Sequence, residues 1–304
     1  MSLEVINKPI LATIQDMGRF SYADIGVVNG GVMDEYAYHY ANKILENKYG
    51  TNSIEISFSN VQFKVHKSTQ LIITGAKCEF FINDILCNCW ETQSIKKDDI
   101  IKIGKIVEGT RVYLAVNGGF TIQKEFQSNS TTIKENLGGL DGGKLKKADI
   151  LPFNESFKIQ KKRLQKKYIP KYENHLTLRV ILGSQEINFS QKEKKKFFDS
   201  TYTITNDFNR MGCKLKGEAL KCDVDGIISE GISFGSIQIP NDGQPIILLK
   251  ERQTIGGYPK IGAVFSIDCF TLAQAKPQST INFVAISLEE AQEELRNFYT
   301  YFKK

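Results

Sequence analysis

Arg111-Val112-Tyr113-Leu114-Ala115-Val116, closed by Asn117-Gly118-Gly119, is a short β-branched and aromatic run that stops at turn residues. Such side chains fit a pleated surface, and glycine ends the pattern, so the run reads as a strand. Leu71-Ile72-Ile73-Thr74, Leu178-Arg179-Val180-Ile181-Leu182 and Ile281-Asn282-Phe283-Val284-Ala285-Ile286 repeat it, each ending near Gly, Asn, Asp or Ser. Many short strands with Gly-rich connections predict a mainly β fold of barrels or sandwiches. Pro245-Ile246-Ile247-Leu248-Leu249 reads as one more buried strand, and a polar loop, Glu251-Arg252-Gln253-Thr254-Ile255-Gly256-Gly257-Tyr258-Pro259-Lys260, follows it.

Two helices are predicted. Asp34 to Leu45 has Asp34 as N-cap and Ala37, Ala41, Ile44 and Leu45 on one face. Ser287 to about Phe302 carries a capping box of Ser287 with Glu290 and a stripe of Ala291, Leu295 and Phe298. A chain of 304 residues is long enough for two domains. Residues 158–175 read KIQKKRLQKKYIPKYENH, a basic, apolar-poor stretch between two β-rich halves. The expected division is a first domain over 1–160, a linker over 161–175 and a second domain over 176–304. A docking patch for an acidic partner is the other reading of the basic stretch.

Composition narrows the function classes. With 41% hydrophobic and 24% charged residues and a net charge of +6, the chain reads as globular. Basic and aromatic residues are not interleaved in the manner that stacks bases, so a nucleic-acid partner is not expected. The apolar runs are far shorter than the ~20 residues of a membrane helix. The N-terminus lacks a basic start followed by an apolar stretch, so the expected location is the cytoplasm, away from any membrane. Six cysteines without CxxC spacing predict reduced thiols and no metal site; on a strand Cys87 and Cys89 would face one side.

Few residues point to histidine chemistry. His39 falls in the first predicted helix, His66 at a strand end and His175 in the basic stretch, with no nucleophile elbow beside them. Gly138 to Leu145 fits Gly-x4-Gly-Lys but has leucine where a phosphate loop needs Ser or Thr, and it reads as a Gly-rich hairpin. Polar groups gather beside glycine in Thr13–Arg19, in Arg210-Met211-Gly212, and in Ser229-Glu230-Gly231 leading to Gln238, Asp242-Gly243 and Gln244. Arginine forks bind planar anions, and glycine lets backbone N–H groups approach the same ligand; salt bridges and tight turns are the simpler reading.

Taken in order, Thr13–Arg19, Gly31-Val32-Met33-Asp34 before Ala41-Asn42, Asn117-Gly118-Gly119, Arg210-Met211-Gly212, Ser229–Ile232, Gln238-Ile239-Pro240, Asp242–Pro245 and Arg252–Lys260 resemble one family. It is the biotin-dependent carboxyltransferase-like family, also called allophanate hydrolase subunit 2 or KipA-like, and within it the C-type component of 5-oxoprolinase. The resemblance runs from about residue 5 to 290. It implies two cyclophilin-like β-barrel domains with a few short helices. It implies two partner proteins, a KipI-like B component and an A component of 5-oxoprolinase. It further implies a small lactam as substrate, and ATP with Mg in the assembled complex. The reaction implied is cleavage of 5-oxo-L-proline to L-glutamate, with this chain inactive alone. Catalytic roles then fall on Arg252, Gln253, Tyr258, Lys260 and Glu230, and substrate or anion contacts on Arg19, Asp34, Asn117, Arg210, Gln238, Gln244, Gly256 and Gly257. Many family members carry arginine where Asn129 and Gly143 stand here. Carboxyl transfer to a urea-like amide is an alternative; with no Met-Lys-Met motif, and so no covalent biotin on this chain, it needs a separate carrier. A KipA-like regulator that binds a KipI-like kinase inhibitor is another.

Overall fold

The computed structural model describes residues 2–58, 60–154 and 160–303. The chain forms two units, Met1–Arg19 with Gly30–Tyr172, and Phe20–Asn29 with Glu173–Lys304.

In the first unit, β1 (Ser2–Val5), β2 (Leu11–Gln15), β3 (Ser53–Ser57), β4 (Val61–Val65), β5 (Thr69–Ile82), β6 (Ile85–Leu86), β7 (Gln93–Ile95), β8 (Ile100–Val116) and β9 (Ile150–Pro152) make a nine-stranded sheet. Its backbone is the antiparallel pair β5 and β8, in register from Leu71 opposite Val116 to Ile82 opposite Ile101, with shifts between Gly75 and Phe80. Such irregularities bend a strand and increase its twist. Each half of β8 takes a different second partner, Ile100–Ile103 pairing with β4 and Arg111–Leu114 with β3. The sheet curls into a half-barrel. Alternation fills it: Val61, Phe63 and Val65 are fully buried, while Gln62 and Lys64 between them are partly exposed. They join Leu3, Ile14, Ile54, Ile73, Phe80, Val112, Leu114 and Leu151 in one core. Helix α1 (Glu35–Ile44) packs Ala41, with Leu45 just beyond it, against Ile72 and Ala115. Asp34 caps it, accepting from Ala37 N at 3.0 Å.

In the second unit, β10 (His175–Leu182), α2 (Gln191–Asp199), β11 (Thr201–Phe208), β12 (Gly212–Lys216), β13 (Glu230–Gly231), β14 (Ser236–Gln238), β15 (Ile246–Leu248), β16 (Ile255–Gly256), β17 (Lys260–Val264), α3 (Ser266–Leu272), β18 (Thr280–Ala285) and α4 (Leu288–Lys303) follow in order. Seven strands close a barrel in the order β10-β17-β14-β15-β12-β11-β18, and β13 with β16 forms a separate ribbon. Closure is a parallel pairing of β10 with β18, Leu176 opposite Ile281 and Leu178 opposite Phe283. Phe197 of α2 stacks on Phe283 at 4.4 Å between ring centres. Phe298 of α4 lies 5.6 Å from Phe270 of α3, and Arg179 of β10 binds both Asp268 and Glu294.

The mainly β prediction holds, as do the strand after Pro245 and both predicted helices. Ser287 Oγ accepts from Glu290 N at 3.2 Å and meets the Glu290 carboxylate at 2.8 Å, closing the capping box. The sequence patterns do not predict α2 and α3. Helix α2, QKEKKKFFD, carries too much charge to show an apolar stripe, and α3 has no side-chain cap at Phe265. In the basic stretch, residues 158 and 159 lie outside the described residues. The part through Tyr172 belongs to the first unit, where Leu164 N donates to Trp90 O at 2.9 Å and Tyr172 Oη to Asp34 at 3.1 Å. His175 opens β10 in the second. Leu164 and the tyrosines give this basic segment something to anchor, which its charge conceals in sequence. The expected Cys87–Cys89 strand alternation is absent because β6 ends at Leu86. All six cysteines are free thiols. No helix among the described residues is long and apolar enough to cross a membrane.

Candidate functional site

The polar loop after β15 is tied down at its start and carries a strand of its own. Leu249 N donates to Met211 O and Glu251 N to Arg210 O, anchoring it beside the β11–β12 turn. Residues Ile255 and Gly256 pair with Gly231 and Glu230 in the β13–β16 ribbon. Pro259 O then accepts from Ile239 N at 2.9 Å, and Lys260 starts β17.

Arg252 is the most informative side chain. Its Nε donates to Ile232 O at 2.9 Å, Nη1 to Leu249 O at 3.2 Å and Nη2 to Asn29 Oδ1 at 2.9 Å. All three acceptors are neutral. Burial pulls its guanidinium down to about 10, still charged at neutral pH. A desolvated cation whose partners carry no charge is a place where an anion gains strong, directional bonds.

Lys260 and Glu230 face each other across the ribbon and the barrel edge. Lys260 Nζ lies 2.7 Å from Glu230 Oε1, with the lysine head mostly buried and the carboxylate half exposed. Gln185 joins them, donating from Nε2 to Glu230 Oε1 at 2.6 Å and accepting from Lys260 N at 2.8 Å. Gln238 stands opposite Lys260 in the β14–β17 pairing. Its side chain is buried, and Nε2 has no hydrogen-bond partner among the described residues.

Gly256 makes room for this arrangement. A Cβ there would come 2.6 Å from Ile232 Cδ1, 2.9 Å from Gln238 Nε2 and 3.5 Å from Gln253 Nε2. Two side-chain amides therefore flank a glycine, and the Gln238 amide end is unsatisfied. Gly257 is held by Ile227, whose N donates to Gly257 O at 2.8 Å, and Tyr258 beside it is exposed. The cluster supplies two cations, three amides and one half-exposed carboxylate. Side chains of these types can hold a carbonyl or carboxylate, and a carboxylate or phenol can exchange a proton with it.

The other sequence candidates make contacts elsewhere in the fold. Arg19 is buried, donating from Nη1 to Thr132 Oγ1 at 3.0 Å and from Nη2 to Ser130 O at 2.5 Å. Asp34 caps α1 and accepts from Tyr172; Asn117 Nδ2 donates to Leu45 O at 2.8 Å. Arg210 pairs with Glu251 and so fixes the loop that Arg252 belongs to. Gln244 bonds both ways with Gly217, holding a turn. In the first unit Asp16 accepts from Ser128 Oγ and Ser130 Oγ at 2.6 Å, Asn129 N at 2.7 Å and Gly18 N at 2.8 Å. Asn129 is buried, donates to Ile122 O and accepts from Asn52. Gly138 to Leu145 leads into a turn with no helix after it, and Lys144 Nζ donates to Ile10 O at 2.9 Å. That loop offers phosphate no helix N-terminus and no free lysine.

Sequence reasoning misses Gln185 and Asn29. Each reaches its partner over a long separation, Asn29 to Arg252 and Gln185 to Glu230 and Lys260, which no local pattern records. Among the described residues no group of three or more His, Cys, Asp or Glu side chains could hold a metal.

The chain is 31% identical over 290 residues to the C component of 5-oxoprolinase from Haemophilus influenzae, covering 95% of this chain and 93% of that protein. It is 27% identical over 318 residues to the urea amidolyase of Lachancea kluyveri, covering 96% of this chain but 17% of that protein. The crystal structure of the K. lactis urea amidolyase matches with a TM-score of 0.93 at 24% identity, over 99% of this chain and 20% of that one. The carboxyltransferase domain, subdomain A and B, matches residues 25–285. The chain belongs to this carboxyltransferase-domain family.

Proposed function

We propose that the chain is the C-type component of an ATP-dependent 5-oxoprolinase of the cytoplasm, working with a KipI-like B component and an A component. The observation that carries the reading is the end-to-end correspondence with the Haemophilus influenzae 5-oxoprolinase component, which extends over 93% of that protein. The site chemistry agrees with it. A five-membered lactam bearing a carboxylate needs a cation for the carboxylate and donors for the ring carbonyl. Arg252 and Lys260 would offset negative charge, and the Gln238 and Gln253 amides would orient the ring. Glu230 and Tyr258 would move a proton. ATP with Mg would be held in the assembled complex, because the Gly138–Leu145 loop gives it no cradle here. ATP supplies the driving force for opening an unstrained amide.

Carboxyl transfer to a urea-like amide is the second reading, favoured by the 27% identity to the Lachancea kluyveri urea amidolyase. A biotin carrier on another chain would then be required.

Co-expression with the two partner types, followed by an ATP-dependent assay of glutamate release from 5-oxo-L-proline, separates them. Glutamate release dependent on all three chains is the expected result. A well-folded complex that releases none, yet carboxylates urea when given a biotinylated carrier, would replace the first reading with the second. A complex inert in both assays, with this chain bound tightly to the KipI-like protein, would point to a regulatory role.

A further inference from the structure

The tip of the first unit's sheet brings two thiols together. Residues Phe81 and Ile82 of β5 pair with Leu86 and Ile85 of β6 around a two-residue turn. Cys87 N continues the ladder to Phe80 O at 2.7 Å. Two steps further the same register sets Cys89 across from Cys78. Their sulfurs are 3.8 Å apart, and Cys89 Sγ also approaches Cys78 O at 3.7 Å. Both residues are only partly buried. Cys78 is in a stretch of β5 where the register shifts, and residues 87–90 lie outside any strand. The backbone on both sides is therefore irregular enough to yield the small closure that a bond of about 2.05 Å requires. Cys87, two residues from Cys89, turns its sulfur to Ile85 O at 3.4 Å.

We propose that Cys78 and Cys89 form a reversible intramolecular disulfide, a modification site that responds to the thiol–disulfide balance around the protein. A low-molecular-weight disulfide, RSSR, is the oxidant. The Cys89 thiolate attacks one of its sulfurs, forming Cys89–S–S–R and releasing RS⁻. Cys78, giving its proton to the released thiolate, then attacks the Cys89 sulfur and expels the second RS⁻, which takes a proton from solvent. Two protein thiols are oxidised and one RSSR is reduced to two RSH. The shared hydrogen bond favours this order, since it holds the Cys89 thiol below its ordinary value, and together with burial it pushes Cys78 up. Cytosolic disulfides of this kind are characteristically transient and redox-sensing. The link would tie β5 to the segment entering Trp90, which packs edge-on against Tyr40 of α1 at 6.4 Å.

The test treats the purified chain with oxidised glutathione and maps its peptides without reduction. The expected product lacks two titratable thiols and two hydrogens in mass, shows a Cys78–Cys89 cross-linked peptide, and returns to the starting state with excess dithiothreitol. Cys78→Ser should stop at a stable glutathione adduct on Cys89, whereas Cys87→Ser should cross-link as the parent does. A parent chain that keeps all its thiols, carries only glutathione adducts, or links Cys87 instead would overturn the proposal. Because the peptide map of the parent needs no variant, poor folding of Cys78→Ser leaves the answer intact.

Discussion

Arg19, Arg210 and Arg252 look alike in the sequence, each an arginine within four residues of a glycine. Their fates differ because their partners do. Arg19 donates to a carbonyl 111 residues away, and Arg210 pairs with a carboxylate 41 residues away. Arg252 meets only neutral acceptors. No local pattern could separate the three, since the deciding contact is long-range in each. What was legible was the density of polar chemistry in the 251–260 loop; what was hidden was Gln185, whose link to both Glu230 and Lys260 exists only after β17 closes beside it. If Arg252 stabilises charge in the transition state, Arg252→Ala in the assembled complex lowers kcat/KM by roughly 10²–10³-fold. An unchanged rate in an intact complex would leave Arg252 with a packing role. Gly256→Ala tests the recess more gently. The atoms that a new Cβ meets are the ends of Ile232 and Gln238, which can move, and Gly256 does not occupy the left-handed backbone region. We expect a melting temperature within a few degrees of the parent and a clear loss of turnover, measured side by side. A large drop in stability with normal turnover per folded molecule would argue that the glycine is needed for packing instead.

Among the helices, a side-chain cap was readable only where an apolar stripe followed it, since Ser190 caps α2 as well, accepting from Glu193 N at 3.3 Å. Asp34 and Ser287 announce α1 and α4, whereas α3 begins at Phe265 with no cap and α2 hides Phe197 among four lysines. The capping box of α4 also makes a pH prediction. Hydrogen bonds from Ser287 hold the Glu290 carboxyl below the usual carboxylate range. A folded value below the unfolded one adds stability that is fully present above the ordinary glutamate pKa of about 4.3 and is lost as pH falls through the folded value. The parent should therefore melt above Glu290→Gln at neutral pH, with the gap closing under acid. A gap of constant size from neutral pH to pH ~3 would mean that Glu290 acts by something other than its charge.

At the scale of the whole molecule, the β content was legible. Phe20–Asn29 belongs to the second unit although it comes early in the chain, and Asn29 there accepts from Arg252. Composition gives no hint of such an excursion, because ten residues without a strand pattern look like any loop. The family resemblance carries the functional reading further than periodicity alone, and it sets a simple expectation for the isolated chain. On the proposed reading, the isolated chain incubated with ATP, Mg and 5-oxo-L-proline should release no glutamate above the blank. Sustained release by the purified chain would remove the need for a split enzyme.

The barrel of the second unit is closed by its first strand, β10, lying parallel to its last, β18. During synthesis from the N-terminus, the register Leu178 with Phe283 cannot form until the ribosome has delivered residue Phe283. Until then the nascent sheet has two raw edges, and β10 waits through about a hundred residues for its neighbour. Such long-range parallel pairing is slow to form and exposes sticky strands meanwhile. The yield of folded second unit should then depend on how well those edges are protected between the synthesis of β10 and that of β18.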